Sequence, residues 1–294
     1  MSKKITLIIP NNNSQHEWFS LVNDCLKIKE KIEIVIVDFN EVKFLETDEI
    51  VVLACLLEMF HKNGVQIEFV GGTNELNKHL DNIKFKKYWS GKFNREEYTE
   101  SLNSSTLCPW KINPEMVYSY SNYAKKYFEG IVKDKDLLPL ASNMDEVFNN
   151  ILDHAGSPVQ GYIITQFYPK PNCISFSVCD FGIGIPTSVN KYLLREEKYV
   201  LEDVDALMKA LELGFSVKST PNNRGLGLDN ILTLIENSKG SLLIRSNNAS
   251  LFKEAGKSFK VGKMAVSFPG TLIKVSVNLN TFDKKDEDET IFEF

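Results

Sequence analysis

The chain is poor in the features that mark secreted, metal-stapled or membrane-spanning proteins. It has only five cysteines in 294 residues, Cys25, Cys55, Cys108, Cys173 and Cys179. Their number is odd, most sit in apolar patterns, and no Cys-x-x-Cys pair occurs. Neither a disulfide framework nor a zinc site is therefore expected, and reduced core thiols of a cytoplasmic protein are. No run of eighteen apolar residues exists, and Met-Ser-Lys-Lys leads directly into a short strand-like stretch, so neither a membrane span nor a signal peptide is expected. Basic residues are no commoner than acidic ones: 34 Lys and Arg stand against 39 Asp and Glu, a net charge of -5. With no Lys/Arg stripe either, direct nucleic-acid binding is not expected. What remains is ordinary globular material, 43% hydrophobic and 25% charged, long enough for two domains.

The most informative stretch runs from Ser142 to Ala155. At 3.6 residues per turn, Met144, Val147, Phe148, Ile151 and Leu152 form an apolar stripe that must face a core. Glu146, Asn150 and Asp153 fall on a neighbouring face, the first two one turn apart. A carboxamide oxygen there can ligate a hard cation while the carboxylate takes a proton from a nucleophile. The competing reading is simply the wet face of a helix.

Two further segments follow. Val178 to Pro186 is an apolar strand ending in Asp180, then two glycines at alternate positions, Gly182 and Gly184. Ser219 to Asn230 is polar and becomes a helix after Gly227. Taken in order, helix carboxylate and amide, strand-end Asp with Gly-x-Gly, and Gly-x-Gly opening a helix, the chain resembles the GHKL (Bergerat-fold, histidine-kinase-like) ATPases over roughly residues 105–280. That family includes gyrase B subunits, mismatch-repair ATPases, heat-shock chaperones, histidine kinases and anti-sigma-factor serine kinases.

The resemblance implies a role for each matching position. Glu146 would be the general base, and Asn150 would hold Mg²⁺ against the phosphates of ATP. Asp153 stands at the end of the same helix, either within the site or merely supporting it. Asp180 would accept the adenine amino group, a match that penalises guanine. Gly182 and Gly184, followed by Ile185, would let the backbone approach the base. Gly225 and Gly227, flanked by Leu226 and Leu228, would offer amides to the phosphates at a helix start. Thr271 matches the threonine that supports Asp180, and Lys218 and Arg224 lie in a lid (about residues 187–224). His154 reads better as a capping or packing residue than as a catalyst. Neither His16, His61 nor His79 lies in the His-Glu-x-x-x-Pro setting of a phosphoaccepting histidine. Gly256-Lys257-Ser258 invites a P-loop reading, which fails because the required glycine is Leu251 and no strand feeds the segment cleanly.

Upstream, strand-like and helix-like stretches alternate from Ile5 to about residue 82, which predicts a small α/β domain. The stretch Val35 to Ile50 resembles STAS domains, in which a strand ending in Asp-Phe leads to a serine-bearing loop at a helix start. Here that loop is Glu46-Thr47-Asp48-Glu49, with Asp48 at the usual acceptor position. An aspartate carries a fixed charge, leaving Thr47 as the remaining acceptor or the domain as a docking module. Downstream, Pro114 should open a helix to about Ile131. Either Pro139 or a Ser142 cap, with Asp145 completing the box, should open the next. Tyr162–Tyr168 and Cys173–Cys179 should form a hairpin. Leu193–Gly214 should be helical, and Ser241–Ser246 and Thr271–Leu279 should be the closing strands.

The expected class is thus α/β: a STAS-like domain at 1–92, a linker at 93–112, a two-layer ATPase sandwich at 113–281 with a mostly antiparallel sheet and helices on one face, and a charged tail at 282–294. The function implied is an Mg²⁺-dependent ATP-binding switch, slowly hydrolysing, that docks a protein partner or a second copy through either domain. The alternative is a serine/threonine protein kinase acting on a separate STAS-type partner.

Overall fold

The computed structural model describes residues 3–11, 14–91, 101–102, 105–113, 116–154, 161–196, 198–212 and 227–284. The chain is α/β, with one parallel and one antiparallel sheet.

The first half contains β1 (Lys4–Ile8), α1 (Gln15–Leu26), β2 (Ile34–Asp38), α2 (Thr47–Lys62), β3 (Gln66–Val70), α3 (Asn74–Asn82) and α4 (Phe85–Trp89). Its three strands are parallel in the order β1-β2-β3, with Ile5, Val35 and Ile67 in register. Helix α2 forms for local reasons. The Glu49 carboxylate reaches back to the Glu46 amide at 2.7 Å, which satisfies one of the orphan donors at the helix start. Gly64 at φ +72° then stops the helix in the left-handed region. Most of α2 is buried, from Ile50 through Glu58 and on to Phe60. A helix that is apolar all round needs cover on both sides. One side of α2 packs on its own sheet, and the other on the second sheet.

The second half contains β4 (Trp110–Lys111), α5 (Val117–Glu129), α6 (Leu138–His154), β5 (Tyr162–Tyr168), β6 (Cys173–Asp180), α7 (Ile185–Arg195), α8 (Asp203–Lys209), α9 (Gly227–Asn237), β7 (Ser241–Glu254) and β8 (Lys260–Asn278). Its five strands are antiparallel in the order β4-β5-β6-β8-β7. Alternation divides the strand residues between two cores. Phe176, Val178, Ile273 and Val275 join Met144, Val147 and Phe148 of α6 and Ile231 of α9. Ile164, Cys179 and Leu272 point the other way and join α2. The second half's own helices cover one face, as the sequence suggested, and α2 of the first half covers the other. This cover is why β5 and β6 are buried along nearly their whole length, polar residues included.

Several expected boundaries move. Residues 105–112, expected as linker, belong to the sheet: Leu107 donates to Thr165 O at 2.9 Å, and β4 pairs with β5. Phe282 is buried, and Asp136 N donates to Asp283 O at 3.1 Å, so the tail begins later than residue 282. Pro139 lies in the first turn of α6 and Ser142 inside it, so proline opens this helix rather than a serine cap. The segment 193–214, expected to be helical, holds the end of α7 and the whole of α8 among its described residues. Strands β7 and β8 run well beyond the expected limits as one long hairpin, whose turn is Glu254 to Lys257, with Gly256 at φ +70°. The P-loop reading still fails at Leu251, and the second reason for rejecting it changes. A strand does feed Gly256, but a second strand follows where that motif needs a helix.

The hydrogen bonds at the ends of these elements set their directions. Asn278 N donates to Ser238 O, just past α9, while Asp136, just before α6, pairs with Asp283. The start of β6, Cys173, is in register with Asn278. Helix α6 therefore starts at the Cys173 end of the sheet and runs towards Asp180, and α9 runs back. Asp180, the last turns of α6 and the first turn of α9 share one end of the fold.

Candidate functional site

Asp180 ends β6 and is 1% exposed. One carboxylate oxygen, Oδ1, accepts from Gly182 N at 2.7 Å, which closes a tight turn. The other takes no hydrogen bond from any described residue. Burial lifts the carboxyl well out of the usual aspartate range, to about 7, against the smaller lowering effect of the Gly182 amide. Thr271 lies directly across from it on β8, and Ser246 directly across from Thr271 on β7. Ser246 Oγ donates to Gly270 O at 2.7 Å, lies 3.2 Å from Thr271 Oγ1, and accepts from Ile185 N at 2.8 Å. The turn after Asp180 is thereby tied to the sheet by one serine hydroxyl.

The glycines here are required by space. Gly270 has φ +116°, and a Cβ on it would fall on Asp180 O and lie 2.8 Å from Gly182 N. Gly184 has φ +81° and caps α7, with Pro186 in the first turn. A Cβ there would overlap the Asn247 side chain. Asn247 itself sits at φ +50°, at the bulge between β7 and β8, and donates to Ile183 O at 3.1 Å. Ser246, Asn247 and Gly270 were not singled out from the sequence. The available signal was Ser-Asn-Asn interrupting an otherwise apolar strand, a pattern that marks a bulge.

The structure brings Asp180, Gly182, Gly184, Ile185 and Thr271 into one turn-and-strand cluster. Glu146 is half-buried at the middle of α6, the helix that runs towards that end. The backbone at Asn150 and Asp153 continues α6 in that direction, and Gly227 and Leu228 open α9 there. Lys218, Arg224, Gly225 and Leu226 lie outside the described residues. Part of the expected lid is packed down: Asp203 Oδ2 accepts from Asn248 N at 3.0 Å and from its side chain at 2.8 Å, while Asn190 and Leu201 exchange two hydrogen bonds. Asp145, next to Glu146, hydrogen-bonds Ser121 rather than capping its own helix; burial raises its pKa and that bond offsets part of the rise.

The opposite face of the sheet holds the loop that resembles a STAS acceptor. Thr47 is fully buried, its hydroxyl 2.7 Å from Ser177 Oγ, so it is no accessible phosphate acceptor. Asp48 pairs with Lys274 Nζ at 2.8 Å, and Glu46 pairs with the same ammonium. Burial would lower Lys274, but Asp48 and Glu46 outweigh it and hold its pKa above the usual lysine value. Arg245 reaches Asp48 at 4.0 Å and lies over the Phe19 ring at 5.6 Å. Glu49 accepts from Trp18 Nε1 at 3.2 Å, and burial chiefly raises it to about 7. These groups line a cavity of about 180 Å³ together with Leu272 and Val52. Further along α2, Cys55 Sγ donates to Cys179 O at 3.2 Å. Glu58 is 1% exposed and binds Tyr162 Oη at 2.8 Å and Lys111 Nζ at 3.3 Å.

Among the described residues no helix is long and apolar enough to cross a membrane, and no cluster of three or more His, Cys, Asp or Glu has metal-binding geometry. No family model and no curated protein matches the chain. Among solved structures, the STAS domain of a SulP transporter from Vibrio cholerae aligns with 31% of this chain and 70% of its own length, at 17% identity and a TM-score of 0.28.

Proposed function

We propose that this chain binds a magnesium–adenine nucleotide at the Asp180 end of the antiparallel sheet and acts as a slowly hydrolysing ATP switch. The single observation that carries the reading is Asp180. It is a carboxylate buried at a strand end, with one oxygen committed to its own turn and the other taking no hydrogen bond from any described residue. Such a group is costly to leave without a donor, and the exocyclic amine of adenine is a planar donor of the right kind. The supporting residues fit the same ligand: Thr271 offers a hydroxyl beside Asp180, Ser246 and Asn247 hold the turn behind it, and Gly182 leaves the backbone bare for a flat ring.

The nucleotide with its Mg²⁺ would supply the phosphoanhydride to be cleaved and the charge neutralisation that cleavage needs. The chain's own residues would do the rest. Asp180 and Thr271 would select and orient the base, Glu146 would take the proton from the attacking water, and Asn150 is the residue that the family resemblance assigns to the cation. The first amides of α9 face phosphate with the favourable end of the helix dipole.

The STAS-like reading of the first half is part of the same proposal, with one change. Its acceptor-type loop is already engaged in cis by Lys274 and Arg245, so a protein partner or a second copy would dock on another surface. The second reading keeps the site and changes the acceptor: Glu146 would activate a serine or threonine hydroxyl of a separate STAS-type partner. The buried Thr47 favours a target outside this chain.

Calorimetry with ATP, ADP and GTP, with and without Mg²⁺, tests the site. Saturable adenine-selective binding is expected, and no binding of either adenine nucleotide refutes it. Incubation with radiolabelled ATP and candidate partners, scoring free phosphate against phosphoprotein, separates the two readings. Glu146→Ala should lower either product by about a hundredfold or more while leaving binding within a few-fold. Full turnover by that variant would remove Glu146 from the mechanism.

A further inference from the structure

Two adjacent rungs of the antiparallel sheet face opposite ways. One rung, Asp180–Thr271–Ser246, forms the site; the next, Cys179–Leu272–Arg245, forms the contact with the first half of the chain. On each of the three strands β6, β8 and β7, a site residue and an interface residue are sequence neighbours joined by one peptide unit. Consecutive side chains of a strand point to opposite faces, so a peptide that rotates to meet a ligand on one face must move the side chain on the other.

Arg245 is where such a movement has somewhere to go. It is 5% exposed, and its Nε has no hydrogen-bond partner among the described residues. Its only ion pair among the described residues, with Asp48, is long at 4.0 Å, while Asp48 is held more closely by Lys274 at 2.8 Å. A buried guanidinium this poorly satisfied is costly, and two cations contend for one carboxylate. In the structure Asp48 holds Lys274 through Oδ1 and stands 4.0 Å from Arg245 through Oδ2, and a second arrangement, with Arg245 drawn fully onto Oδ2, is open to the cluster.

Resting on the nucleotide reading above, we propose that occupancy of the Asp180 site shifts Arg245 between these arrangements, so that the first half of the chain both reports and tunes that site. Coupling of this kind is reciprocal: whatever the nucleotide does to the Arg245–Asp48 contact, altering the contact does to nucleotide affinity.

Trp18 is a built-in reporter, because it is buried in the same cavity and its indole N–H binds Glu49. The test combines calorimetry with tryptophan emission on the full chain, using Mg-ATP and Mg-ADP. Saturating nucleotide should change the emission of the native protein, and Trp18→Phe should remove that change. Arg245→Met should suppress the Trp18 response and shift nucleotide affinity by about fivefold or more; Asp48→Asn repeats the test from the other partner should Arg245→Met fail to fold. Calorimetric binding with a silent Trp18, or an unaltered response and affinity in both variants, overturns the coupling and leaves the nucleotide reading standing. Absence of binding by the native protein overturns both, and calorimetry detects that without reference to Trp18.

Discussion

Asp180→Asn separates what this residue costs the fold from what it gives the site. In the native protein the carboxyl is buried and its pKa stands at about 7 rather than the usual 3.8. Below pH 4 it is protonated in both folded and unfolded chains and contributes no pH dependence. Between about pH 4 and pH 7 the unfolded chain releases the proton and the native state does not, so stability falls as pH rises. Above pH 7 the penalty is constant. At about 1.4 kcal/mol per pH unit, the displacement corresponds to roughly 4 kcal/mol, an upper bound because local water relaxes around the charge. Asparagine is nearly isosteric, keeps an oxygen for Gly182 N, and carries no charge to bury. The variant should therefore be more stable than the native protein by about 2 kcal/mol at pH 8 and equal to it near pH 4. Glu49, also raised to about 7, adds a pH slope of the same sign to both proteins and cancels in the difference. Adenine nucleotide affinity should fall about ten- to hundredfold, because the uncommitted carboxylate oxygen becomes an amide donor. Urea unfolding followed by circular dichroism at several pH values supplies the difference curve, and calorimetry the affinity. A variant no more stable than native at pH 8, with an unchanged pH profile, would refute the buried-carboxylate argument.

Three further substitutions test the scaffold. Gly270→Ala should cost about 3 kcal/mol or more, seen as a large drop in melting temperature, because it combines a positive φ with a backbone overlap at Asp180. Gly256→Ala, also at positive φ but with open space around it, should cost only about 1 kcal/mol. Lys274→Met leaves Glu46 and Asp48 facing each other with only the distant Arg245, and should destabilise by about 2–4 kcal/mol in urea. Pairing it with Asp48→Asn should recover part of that loss in a double-mutant cycle.

How much of this was legible in the sequence follows from where each signal lies. Local periodicity located α2, α6 and the β5–β6 pair because their apolar residues repeat at the spacing of the element they form. Glycines next to a strand-end aspartate located the turn at Asp180 because only a bare backbone closes so tightly there. What lay hidden was long-range. The extension of β7 past Ser246 was obscured by Asn247, Asn248 and Lys253, polar residues whose reasons are tertiary: a bulge, a bond to Asp203, and an ion pair with Glu236. The contact between the two halves was hidden for a different reason. Ile50 to Leu57 reads as a buried helix whichever sheet covers it, and nothing local says that a second sheet is needed. Yet the excess was there to be counted. A three-stranded sheet offers one face of limited width, and a helix apolar on all sides must find a second apolar surface or expose itself to water. That surface is the outer face of the antiparallel sheet, where Ile164, Cys179 and Leu272 are equally in need of cover. The same requirement places Glu46, Thr47 and Asp48 against Ser177, Arg245 and Lys274, since a helix docked along its length brings its capping loop with it. The first half is thus a wall of the candidate site, one peptide unit behind Asp180, and not a module tethered beside it.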